Sequence, residues 1–190
     1  MPTLAVKYRP KTWEEVVEQN VIKAILQNQI NNGPNGQIIS EASWNEDGKK
    51  YYGPMDEAIE SATNNTDEKV IIIIESDISI DENVTIPENV TLVIPADKTL
   101  TVPEGITLDN NGEIVEVGAL QVSGDLESNA SWTDGHTKHY SDLNTALDNV
   151  KSGESVTLLE DLIWMDDAPL EIPQDVDFVI PNDVVLEIEK

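Results

Sequence analysis

The sequence contains no cysteine, which excludes disulfides, thiolate metal sites and cysteine nucleophiles. It has one phenylalanine and four tryptophans, and 39% of its residues are hydrophobic, so a core is available but not a generous one. No apolar run is long enough to span a bilayer. No apolar signal segment stands at the N-terminus. These absences predict a cytoplasmic chain that makes no membrane contact. Positive charge is also scarce: 11 Lys and Arg face 37 Asp and Glu, a net charge of −26. Such a surface repels nucleic acid and anionic lipid and attracts cations or basic proteins.

The charge is unevenly placed. Residues 1–40 hold four basic and three acidic groups, and include the sole arginine, Arg9. Residues 41–190 hold 34 acidic and seven basic groups. A break of this kind marks two segments of different role. The first, 1–36, reads as a helical leader. Thr12 is placed to cap a helix over 12–30, Glu14 and Glu15 fall in its first turn, and Val16, Val17, Ile22, Ile25 and Leu26 share a face. The breaker cluster NNGPNG at 31–36 ends it.

The second segment repeats. EASWNEDGKKYYGPMDEAIESA from Glu41 matches NASWTDGHTKHYSDLNTALDNV from Asn129, with Trp44 on Trp132, Tyr52 on Tyr140 and Ala58 on Ala146. IPENVTLVIPADKTLTV at 86–102 matches IPQDVDFVIPNDVVLEI at 172–188. The first repeat is 41–128. The second, 129–190, has no counterpart of residues 105–128. Each copy predicts a short helix (54–63 and 141–151), an apolar strand (70–75 and 156–161), then strands of three to five residues separated by Pro and Gly. Short strands with tight corners suit a solenoid whose coils stack over an inward row of Val, Ile and Leu. The fold class is therefore mainly β, a short right-handed parallel β-helix with short repeat helices and an N-terminal helix. An antiparallel β-sandwich is the alternative.

Several residues are candidates for chemistry. His136 and His139 fall in a predicted loop at metal-ligand spacing, but the first repeat has Gly48 and Tyr51 there, so a surface role is the better reading. Acid clusters around Asp77, Asp109 and Glu160 offer oxygen ligands without the calcium-loop pattern, and DNNGE at 109–113 reads as an Asx-rich turn. Trp44 and Trp132 recur and read as packing residues. No cofactor and no catalytic residue is assigned. Thr85, Thr91 and Thr101 point outward in the first repeat and are replaced by Glu171, Asp177 and Glu187 in the second. With neighbouring strands about 4.8 Å apart, these three acids define a candidate acidic interaction face.

The repeat at 44–190 resembles modules of bacterial surface and phage proteins, carried by YYGPMDEAIESA, LLEDLIW and the two IP-runs. That resemblance implies a short parallel β-helix used as a spacer, stalk or virion part. LAVKYRPKTWEEVVEQNVIKAILQNQI at 4–30 resembles the N-terminal segment of bacterial and phage clamp-loader ATPases. There the segment lies beside adenine, which implies such a place for Tyr8, Arg9 and Pro10. The phosphate-binding loop that family needs is missing: NNGPNGQIISEAS has no lysine after its glycines. The leader is thus read as a docking segment, with Tyr8, Arg9 and Trp13 as its contact residues. The join of two unrelated segments points to recombination in a mobile element or to an artificial sequence.

Two functions follow as expectations. One is a non-enzymatic structural or binding module of phage or bacterial-surface type, which would place the chain at a virion or cell surface. The other is an intracellular acidic inhibitor that imitates nucleic acid, of the anti-restriction or anti-CRISPR kind. The expected partner is a protein, basic or nucleic-acid-binding. The coil left open at the end of the second repeat is expected to be covered by a partner or by self-association.

Overall fold

The computed structural model describes residues 40–46, 48–65, 68–165 and 169–189. The leader, with its helix at 12–30 and the docking residues Tyr8, Arg9 and Trp13, lies outside them. From residue 40 the chain folds as one unit.

Each repeat opens with an antiparallel hairpin that the sequence expectation lacks. In the first repeat it joins β1 (Ala42–Glu46) to β2 (Lys49–Gly53), and in the second β12 (Ala130–Asp134) to β13 (Thr137–Ser141). Gly48 and Gly135 make the turns with φ of 71° and 63°, a backbone region that costs glycine nothing. A helix follows each hairpin, α1 (Met55–Asn64) and α2 (Leu143–Asn149). Met55, Ala58 and Ala62 are buried on the first, and Leu143, Ala146 and Leu147 on the second. The matched positions of the repeat are therefore its buried helical face.

The remaining strands wind into a β-solenoid of about five turns. The first repeat supplies three coils: β3 (Val70–Ile74), β4 (Ile78–Ser79) and β5 (Val84–Ile86); β6 (Val90–Ile94), β7 (Thr99–Val102) and β8 (Thr107–Asn110); β9 (Glu113–Glu116), β10 (Ala119–Val122) and β11 (Asp125–Glu127). The second repeat supplies β14 (Ser155–Leu158) and β15 (Leu162–Trp164), then β16 (Asp177–Val179) and β17 (Leu186–Ile188). Successive coils pair in parallel on each side. Antiparallel pairing is confined to the hairpins and the strands they touch, so the architecture is the solenoid and not the sandwich.

The register aligns inward residues into rows. Ile72, Leu92 and Ile114 stack on one sheet, Ile78, Leu100 and Leu120 on the second, and Val84, Leu108 and Leu126 on the third. Burying such an aliphatic side chain fully is worth about 1.5–3 kcal/mol; alternation turns all nine inward, with Val84, Leu120 and Leu126 partly buried against the same core. Two cores result, one per repeat. Trp44 and Trp132 are buried beside the hairpins, and Trp164 is buried in the second core. The indole N–H groups of Trp44 and Trp132 find no hydrogen-bond partner among the described residues. Because the same orphan occurs in both repeats, it belongs to the module itself.

Corners follow a simple rule. In the second coil each corner is a turn begun by proline, closed by hydrogen bonds from Val90 N to Pro87 O, Lys98 N to Pro95 O and Ile106 N to Pro103 O. Proline presets the turn and has no N–H to lose from a ladder. The third coil lays a glycine on each of these corners: Gly112, Gly118 and Gly124.

Asn89 ties helix to solenoid. Its side-chain amide donates to the carbonyls of Ala62, Asn65 and Glu68 at 3.0, 3.0 and 3.1 Å. Those groups lie at and beyond the end of α1, which has no basic residue in its last turn, so the amide serves as the C-terminal donor. Asn89→Asp replaces this donor by a carboxylate facing the same carbonyls. Loss of about 2 kcal/mol or more is expected, read as a lower urea midpoint with an unchanged slope.

Candidate protein interface: the joint between the repeats

The nine-stranded sheet runs in the order β16-β14-β12-β13-β9-β6-β3-β1-β2. It is the sheet that passes from one repeat into the other, and it does so where β13 pairs antiparallel with β9. Tyr140 lies opposite Ile114, His139 opposite Val115 and Lys138 opposite Glu116.

The side chains at this joint are specific. Tyr140 is 7% exposed and belongs to the core of the first repeat, although its strand belongs to the second. Its hydroxyl donates to Glu116 Oε2 at 2.9 Å. Burial, with the Glu116 carboxylate adding to it, pushes the phenol well above its ordinary range, so it stays a donor. The His139 ring stacks on Trp132 with centroids 3.9 Å apart, and its Nδ1 lies 2.9 Å from Glu113 Oε1. Lys138 Nζ sits 4.7 Å from the Tyr140 ring centroid. Beneath them Asn110, buried at the end of β8, donates to Tyr140 O at 3.1 Å and Ser128 Oγ at 3.2 Å.

Two expectations are corrected here. His139 stands on a strand inside the joint, because the hairpin turn closes at Gly135 and the residues after it pair on both sides. The DNNGE segment is not a free turn throughout: Asp109 and Asn110 end β8, and Asn110 is buried.

Glu113 has its carboxyl held below the usual value, first by the hydrogen bond from His139 and against the opposing effect of burial. A folded-state value below the unfolded one adds stability at neutral pH, lost as pH falls through the folded value. Glu113→Gln is therefore expected to destabilise at pH 7, and the gap from wild type should close as pH drops below about 4, the ordinary range of Glu. Urea unfolding across that range measures it.

The proposed acidic face is dispersed. Asp177 lies on β16 in the nine-stranded sheet, Glu187 on β17 in a two-stranded sheet, and Glu171 in the connection between β15 and β16. All three are exposed, but they do not lie side by side on one ladder. A ladder of acids occurs elsewhere. Asp109 pairs with Glu127 across β8 and β11, Asp125 stands opposite Thr107, and Thr85 donates to Asp109 at 3.2 Å. A polar cleft of about 370 Å³ lies beside the joint, among Asn89, Glu113, Asp142 and Thr145. Among the described residues no group of three or more His, Asp and Glu is arranged to hold a metal ion, and no helix is long and apolar enough to cross a membrane.

The winding and the joint together define a β-solenoid repeat protein. No protein-family model matches the chain, and no curated protein and no solved structure matches it either.

Proposed function

We propose that the chain is a non-enzymatic structural module of phage or bacterial-surface type, a rigid acidic strut that lengthens by joining solenoid to solenoid. The observation that carries this reading is the β9–β13 joint, where a hairpin residue of one repeat, Tyr140, completes the core of the other. Such nearest-neighbour sealing is how repeat proteins gain stability as they extend. The acidic surface keeps the strut soluble and discourages stray strand pairing.

The competing reading, an inhibitor that imitates nucleic acid, rests on the 34 acidic groups of residues 41–190. A pull-down from bacterial lysate at low salt, eluted with a salt gradient, separates the two. The structural reading expects envelope or virion components that stay bound as salt rises, or no specific capture. Capture of nucleic-acid-binding proteins that leave at moderate salt, and are lost when Glu171, Asp177 and Glu187 become Thr, overturns it.

A further inference from the structure

We propose that the outer edge of β2 receives the unpaired edge of β16 from a second copy of this chain, so that copies join head to tail. The proposal rests on the structural reading above and gives it a partner.

The chain makes this contact once within itself. In the joint, β13 offers Lys138, His139 and Tyr140 to β9. The first hairpin carries the matching residues on β2: Lys50, Tyr51 and Tyr52. Its contacts correspond, with a wider ring stack. Tyr51 stacks with Trp44 at 5.8 Å, as His139 stacks on Trp132, and Lys50 Nζ lies 4.9 Å from the Tyr52 ring, as Lys138 lies over Tyr140. Yet β2 has no second strand beside it among the described residues. Tyr52 is 43% exposed where Tyr140 is 7% exposed. Among the described residues the outer edge of this hairpin is thus unpaired where the matching edge of the second is paired.

The other edge of the same sheet is β16. Its pairing with β14 puts Phe178 opposite Val156, as Leu92 on β6 stands opposite Ile72 on β3. On the far side of β6 lies β9, and on the far side of β16 no strand pairs among the described residues. Around this edge Val179, Ile180, Val185 and Ile188 are all exposed. Among the described residues no strand covers this edge. Paired strand edges and apolar burial both favour covering it.

Setting β2 on β16 in the register of the internal joint places Tyr52 opposite Phe178, Tyr51 opposite Val179 and Lys50 opposite Ile180. Asp177 then stands where Glu113 stands beside His139. Charge agrees in part: Lys49 and Lys50 lie on this edge, with Lys50 Nζ also 3.4 Å from Glu75 Oε1, and the receiving coil carries Asp177, Asp183, Glu187 and Glu189. Because the two surfaces differ, each copy keeps one free end after joining, and growth does not stop at two. The net charge of −26 per copy opposes approach at low salt and is screened as salt rises, so association should strengthen with ionic strength.

Sedimentation velocity of the full chain tests this, from about 10 μM to 1 mM and at about 0.02 and 0.3 M salt. A concentration-dependent series of species beyond the dimer is expected, more populated at the higher salt. Tyr52→Ala and Val179→Lys, at exposed positions on opposite edges, should each weaken association about tenfold or more, with only a small change in the unfolding midpoint of the single chain. Mixing the two variants should restore association through the one intact pair of edges and stop it at a dimer. Monomer at every concentration, a wild-type dimer that grows no further, or undiminished assembly by Tyr52→Ala alone would overturn the proposal. None of these touches the internal joint, so the structural reading stands or falls separately, in the lysate experiment.

Discussion

Gly118→Ala is expected to destabilise the solenoid by about 3 kcal/mol or more, at the top of the range for overpacking. A Cβ at this position would meet Pro95 O at 2.1 Å and Lys98 O at 2.3 Å. Both atoms are backbone and both are engaged: Pro95 O closes the corner with Lys98 N, and Lys98 O accepts from Ala119 N at 3.0 Å. Neither can give way without opening the stack. Gly105→Asn serves as the control. Gly105 has a φ of 79° and open space around its Cβ position, and Asn tolerates that conformation, so a loss of under about 1 kcal/mol is expected. Thermal or urea unfolding of both variants distinguishes crowding between coils from a need for unusual backbone angles. Equal losses would mean that the corner contact does not limit the fold.

The second large effect is expected at the joint. Tyr140→Ala should cost about 3–5 kcal/mol, the range for removing a buried aromatic ring, because the ring closes the core of the first repeat. The matching change, Tyr52→Ala, should cost under about 1 kcal/mol, as at other exposed positions. Tyr140→Phe keeps the ring and removes only the bond to Glu116, so it should lose about 1 kcal/mol. The order Tyr140→Ala, Tyr140→Phe, Tyr52→Ala in unfolding free energy is the measurement. Two tyrosines at one position of one repeat would then differ in weight solely through what lies beneath them.

Much of the winding was legible in the sequence. The expected strands of three to five residues between prolines include VTI, VTLVI and TLTV, which form β5, β6 and β7, since alternating Val, Ile, Leu and Thr between prolines leaves the chain little else to form. The repeat also placed both helices, to within a few residues at their ends. The alignment of the first coils was off by two residues: Ile72 and Val156 hold the same position against Trp44 and Trp132, where the sequence match set VIIIIE on VTLLED. A slip of two keeps inward residues inward, so the error left the core assignment unharmed.

What was illegible depended on distant pairing. KKYYG and TKHYS show no apolar alternation, and become strands because an existing sheet offers them an edge. The local sign was Asp-Gly at 47–48 and 134–135, a strong hairpin signal. His139, read as a loop residue, followed from that omission. The three acids of the candidate face are dispersed for another reason. Thr85, Thr91 and Thr101 all point outward, but every corner turns the chain onto a new sheet, so β5, β6 and β7 carry them on three. Rows in a solenoid join residues a full coil apart, as Thr85 joins Asp109.

The joint also has a mechanical meaning. Within the first repeat, neighbouring coils are held by three ladders, one on each side: β6–β9, β7–β10 and β8–β11. Across the joint one ladder continues, β9–β13, while the sheets of β10 and β11 stop. Strand ladders bond along the stacking axis, so tension along that axis is shared three ways inside a repeat and carried by one ladder between repeats. A pulled chain would therefore part at the joint before its coils unwind. It would withdraw Tyr140 from the core of the first repeat while the coils of each repeat stay wound, and it could close again by the same pairing, which makes the joint a fuse.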